Sequence, residues 1–149
     1  MVELNWIKLE SNVDLNRLMD RFGRFHDSCL RELYLSTTAH VSSDLSMSFN
    51  AKSSATLLFQ RQFRPDSVLE LRFDDLIGLN YQPLSSGYNE VIYDATLVLE
   101  GGITYWADHQ EWEVKDIRNG ESDSVWIGAT EVYYRFRPEL IGDIIRLTE

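Results

Sequence analysis

The chain contains one cysteine and three prolines in 149 residues, and only 14 basic residues against 24 acidic ones. The lone cysteine, Cys29, excludes an intramolecular disulfide and any metal site built from several thiolates. No apolar run approaches the roughly 18 residues that a membrane-spanning helix needs. The opening residues, MVELNWIKLESN, lack the basic stretch, apolar core and cleavage site of a secretory leader. Together these absences predict a protein of a reducing compartment, the cytoplasm, with no membrane partner. Repeats, low-complexity tracts and linkers are missing too, so one domain spanning 1–149 is expected.

The shortage of cations gives a formal net charge of −10. Such a surface repels nucleic acid, whose binding is driven by Lys and Arg, and attracts a basic protein partner. The same charge also serves plain solubility. With 44% hydrophobic residues, a chain of this size buries roughly 68–70% of its unfolded surface and needs no metal to hold its core.

The strongest local signal is Val91–Ala107. Val91, Tyr93, Ala95, Leu97 and Leu99 alternate with Ile92, Asp94, Thr96, Val98 and Glu100, the period of a two-faced strand. Gly101-Gly102 permits the positive φ angles of a two-residue turn, and Ile103–Ala107 returns. Before it, Leu4, Trp6 and Ile7 mark a short strand. Ser11 or Asn12 caps a helix over about Val13–Phe22, stopped by Gly23, which covers an open edge or one end of the sheet. Further strands are expected at Ser28–Thr38, Leu45–Phe49, Ala55–Phe63, Val68–Phe73 and Leu76–Tyr81. In the first of these, Cys29, Leu33 and Leu35 oppose Leu30, Glu32 and Tyr34. Gln82–Asn89 has loop composition. Ser124–Arg137 is the last clear strand, with Trp126, Gly128, Thr130, Val132, Tyr134 and Phe136 on one face, and Pro138 ends it. Leu140–Leu147 forms a closing helix or strand. With no helix long enough to cross between parallel neighbours, the expected fold is mainly β. It is an antiparallel β-sandwich or partly open barrel of seven to nine strands with one N-terminal helix. An exposed sheet edge is then open to pairing with a second copy or a partner.

Signals for chemistry are sparse. His26-Asp27-Ser28-Cys29 offers a base, a carboxylate and a thiol, but an extended backbone turns His26 and Cys29 to opposite sides, so a turn is the better reading. His26, His40 and His109 show no metal-ligand spacing. Gly101-Gly102 has no following helix or Lys/Ser context for a phosphate. The expectation is therefore no catalytic residue, no metal and no cofactor.

Between Asp108 and Asp123, six acids outnumber Lys115 and Arg118, in either a strand pair, Glu111–Ile117 returning after a turn at Asn119-Gly120, or a mobile acidic loop. Trp112, between Glu111 and Glu113, reads as an exposed aromatic anchor inside an acidic rim. Asp108, Glu111, Trp112, Glu113 and Asp116 are thus the candidate partner-binding residues. The alternative is a small-ligand or carbohydrate-binding barrel that stacks sugars on its tyrosines and tryptophans.

The order FHDSCLREL after a short amphipathic helix, then LLFQRQF, LELRF and the acidic hairpin, resembles small uncharacterised bacterial proteins. Some of these look like immunity proteins of contact-dependent or polymorphic toxin systems. The resemblance implies a small acidic cytoplasmic protein that neutralises a basic toxin by binding it, and it assigns no site residues.

Overall fold

The computed structural model describes residues 5–83, 91–118 and 124–143. Among these residues, seven strands form one open antiparallel sheet: β1 Ile7–Leu9, β2 Ser28–Thr37, β3 Ser53–Arg61, β4 Val68–Asn80, β5 Thr96–Glu100, β6 Ile103–Ala107 and β7 Trp126–Phe136. The order across it is β2-β3-β4-β7-β6-β5. Strand β7 divides one side between two partners. Its first half pairs with β6, and Val132–Tyr134 pairs with β1. The expected β-rich antiparallel class with one N-terminal helix holds. No helix among the described residues is long and apolar enough to cross a membrane.

Helix α1, Asn12–Arg21, starts where the sequence supplies a cap. Ser11 Oγ accepts the Asp14 N–H at 3.3 Å, and the Asp14 carboxylate accepts the Glu10 N–H at 2.9 Å. Leu15, Leu18 and Met19 recur at helical spacing and bury one side. That side joins the main core with Leu57, Phe59, Leu71, Phe73 and Trp106. Asn12 meanwhile covers the edge of β5: its amide donates to the Leu99 carbonyl and its Oδ1 accepts the Leu99 N–H.

The sheet curls strongly. Phe59 on β3 and Trp106 on β6 have ring centroids 4.8 Å apart, although β4 and β7 lie between their strands. Phe25, in the 3-10 turn after α1, packs edge-on against Phe59 at 4.9 Å and against Trp106 at 5.7 Å. At one end the two edges of the sheet are linked outside the named strands. The Ile92 N–H donates to the Ser28 carbonyl at 2.7 Å, and the Asp27 N–H donates to the Ile92 carbonyl at 3.0 Å.

That link shortens the hairpin. The alternating pattern predicts a strand from Val91, but β5 begins at Thr96, because Ile92 and Ala95 bond to the turn at Arg24–Ser28 instead of to β6. The turn itself forms as its residues require, with Gly101 and Gly102 at φ 61° and 77°. In β2 the register shifts between Leu30 and Glu32, so Leu30 and Leu33 both turn to the core instead of opposing each other. The fourth and fifth expected strands are one strand, β4, which continues through a positive φ at Asp75. β7 changes phase. Ile127 and Ala129 reach the core from odd positions, and Val132, Tyr134 and Phe136 from even ones. Trp126, Gly128 and Thr130 therefore do not share the face of Val132. Leu45–Phe49 is not a ladder strand, and only an isolated bridge joins Val41 to Met47. Residues 144–147 of the expected closing element lie outside the described residues, and Pro138–Leu140 forms a 3-10 turn.

The opposite sheet face carries a buried charge. Glu70 is fully buried, and its Oε1 accepts from Arg135 Nε and Arg137 Nη1, each at 3.0 Å. Arg135 in turn lies over the Trp6 ring at 4.0 Å. The two guanidinium groups compensate the desolvation of one carboxylate. Replacing Glu70 with Ala removes the shared acceptor and should cost about 3–5 kcal/mol in urea unfolding. Arg135→Ala should cost less, since Arg137 still reaches the carboxylate. A loss under about 1 kcal/mol for Glu70→Ala would mean that the network does not hold this face.

Candidate functional site

The acidic segment after β6 is a fixed loop followed by one helical turn, Lys115–Arg118. Of the two expected forms, the strand pair starting at Glu111–Ile117 does not form and the segment is a loop, and residues 119–123 lie outside the described residues. Local bonds explain the shape. Thr96 Oγ donates to the His109 carbonyl at 2.7 Å and reaches the Gln110 carbonyl at 3.1 Å, which ties the loop to β5. His109 Nδ1 accepts the Glu111 N–H at 3.1 Å. The Asp116 carboxylate, in the helical turn, reaches back to accept the Glu113 N–H at 2.9 Å and fixes the entry to that turn.

Trp112 is not the exposed anchor its acidic neighbours suggest. It is 5% exposed and floors the loop. Its ring stacks on Trp126 at 6.3 Å and meets Tyr105 at 5.7 Å. Val98, Ile103, Val114 and Ile117 complete this second, smaller core. The Tyr105 ring fits because position 128 is glycine: a Cβ there would stand 2.7 Å from it. Burial of so large a ring and the preference of its flanking glutamates for water are both met, because alternate residues of the loop face opposite ways.

The five candidate residues thus divide by role. The Asp108 backbone N–H donates to the Val125 carbonyl at 3.0 Å, and its carboxylate accepts the Val125 N–H at 3.1 Å, which clasps the loop to the start of β7. Trp112 supports the loop from below. Glu111 and Glu113 are exposed, and Asp116 is half-buried at their side. Together with Thr96, Gln110 and Lys115 these last three line an open depression above Trp112. Lys115 Nζ lies 2.9 Å from the Glu113 carboxylate, an exposed pair that offsets part of the negative charge. Thr96 and Gln110 were not legible as rim residues, because their place there depends on β5 lying against the loop. Lys115 was visible only as a charge in the local count.

The His26-Asp27-Ser28-Cys29 stretch is built as a turn. Arg24, Phe25 and Asp27 have positive φ, and Ser28 Oγ donates to the Phe25 carbonyl at 2.6 Å in a buried position. The His26 ring points to the Tyr93 carbonyl, 2.7 Å from Nδ1, and to the Asp27 carboxylate. Cys29 sits on β2 opposite Gln60. Among the described residues, no three His, Cys, Asp or Glu side chains converge as a metal site. Of the tryptophans, Trp106 and Trp112 are buried and Trp6 lies under Arg72 and Arg135.

Comparison with protein-family models, curated proteins and solved structures finds no match to this chain.

The His26 contacts set a pH dependence. The Tyr93 carbonyl, and then the Asp27 carboxylate, favour the protonated ring and raise its pKa above the ordinary 6.5. A raised native pKa adds stability that is complete below the unfolded value and lost as pH rises through the native one. His26→Gln should therefore flatten the fall in stability above pH about 6.5, read from urea midpoints across that range. An identical slope in the variant would assign the pH dependence elsewhere.

Proposed function

We propose that the protein is a non-enzymatic interaction module that takes a basic protein partner on the acidic rim of the 108–116 loop. One observation carries this reading: Glu111 and Glu113 face solvent while Trp112 between them is locked in an aromatic stack. A rim fixed in this way presents its carboxylates without much further ordering on binding, which favours affinity. The overall charge of −10 steers a cationic partner toward the surface, and the rim then sets its register. Asp108 and Trp112 belong to the site as positioning residues, and Glu111, Glu113 and Asp116 make the contacts.

The resemblance to immunity proteins of toxin systems supports a specific form of this role. The rim would occupy the basic groove of a toxin in the cytoplasm and neutralise it. Where that toxin is a nuclease, the carboxylates take the places of phosphates. No cofactor, nucleic acid or membrane enters this reading. Self-association through a sheet edge is compatible with it and rests on other residues.

The test is affinity capture on the full chain at low and high salt, comparing it with Glu111→Gln/Glu113→Gln/Asp116→Asn. A basic protein should be retained at low salt and released at high salt. Three rim charges, two exposed and one half-buried, at about 0.2–1 kcal/mol each predict roughly tenfold weaker binding by the triple variant and a shallower salt dependence. Equal affinity and equal salt dependence in the two proteins would remove this site.

A further inference from the structure

The two edges of the sheet are treated differently. The β5 edge is covered at Leu99, where Asn12 supplies both a donor and an acceptor. The β2 edge beyond the shift at Glu32 runs Leu33–Thr37, LYLST. It has no charge, no proline and no further bulge, the devices that normally blunt an edge. Among the described residues its only ladder partner is β3.

This edge leads directly into an arm, residues 38–52, that is ordered by its own hydrogen bonds. The Thr38 N–H donates to the Lys52 carbonyl at 2.9 Å, Ser48 to His40 at 3.0 Å and Ser42 to Ser46 at 2.8 Å. Its apolar side chains nevertheless face water: Leu45 is 83% exposed, Met47 61% and Phe49 90%. Leu45 also has φ 71°, a conformation disfavoured for a branched residue. A glycine or asparagine would suit that turn better, so the leucine answers to something other than the local backbone.

Charge identifies the occupant. The strip from Leu33 to Ser54 holds one acid, Asp44, and one Lys or Arg, Lys52, so the acidic excess of the chain lies wholly outside it. A basic partner finds no counter-charge here. A second copy brings no excess like charge into contact. An antiparallel strand edge is also self-complementary about a twofold axis. The strip is of the size that one side of a standard interface uses, roughly 20–30 residues.

We propose that two copies of this chain associate about a twofold axis at the β2 edge. Leu33–Thr37 pairs antiparallel with itself, and the arms bury Leu45, Met47 and Phe49 against the neighbouring copy. This surface is separated from the acidic rim by β3, β4 and β7 and does not depend on it.

Sedimentation velocity of the full chain from about 1 to about 100 µM tests the proposal across the affinities expected of such an interface. The mass should move from that of the 17.3 kDa chain toward twice that value. Added salt should strengthen the dimer, because it screens repulsion between two chains of charge −10. That is opposite in sign to capture of a basic partner, so the two readings fail separately. Leu35→Lys places like charges across the axis, and Leu45→Asn suits the left-handed turn while removing an apolar contact. Each should weaken association at least tenfold with unchanged far-UV circular dichroism, and the Glu111, Glu113 and Asp116 triple variant should associate like the parent. A monomer at every concentration and salt overturns the proposal. So does a dimer indifferent to both Leu35→Lys and Leu45→Asn, or a mass that keeps growing past two chains.

Discussion

The contact between Phe59 and Trp106 governs the rest of the molecule. Their strands lie three spacings apart in the sheet, a separation of about 14 Å if the sheet were flat. Ring centroids 4.8 Å apart require the sheet to roll around them. Rolling makes a concave face deep enough for Phe25 and for α1, and it carries the ends of the two edge strands near each other, where Ile92 joins Ser28. The shift in β2, the left-handed Asp75 in β4 and the phase change in β7 bend strands whose regular alternation would leave the sheet flatter.

A curled sheet with one filled face leaves its convex face to be stabilised otherwise. The chain does so with two small assemblies. Near the start of β4, Glu70 is enclosed by Arg135 and Arg137, with Leu58, Val68 and Leu140 forming a patch of core on the same side. Toward the other end, Tyr105, Trp112 and Trp126 form an aromatic layer over β6 and β7. The acidic loop exists as a defined surface because it is the lid of that layer. Its carboxylates are directed outward by the burial of the tryptophan between them, and the same packing that stabilises the domain orients the candidate binding rim. The neutral arm beyond β2 has no such layer beneath it, and its Leu45, Met47 and Phe49 remain exposed.

Several residues announced their role in the sequence. Ser11 capped the helix, Gly101-Gly102 turned the hairpin, and Leu57 with Phe59 or Leu69 with Leu71 alternated into the core. These depend on neighbours a few positions away. Trp112 is the counter-example: its flanking glutamates are exposed as expected, yet the ring is buried, because the strands on either side of its loop bring Tyr105 and Trp126 against it and Gly128 leaves room for the Tyr105 ring. Asp108 belongs to the acidic cluster by sequence and to a backbone clasp by structure. Glu70 gave no sign of burial, since it alternates like any outward residue and the arginines that enclose it lie 65 or more positions away.

The sequence alone determined the class of element at most positions, the acidic balance and the lack of an intramolecular disulfide, because these follow from composition and from periodicities of two to four residues. Tertiary structure decided which strands bulge, where β5 begins, which acids remain at the surface and which aromatic is covered. Those outcomes are set by packing between segments far apart in the chain.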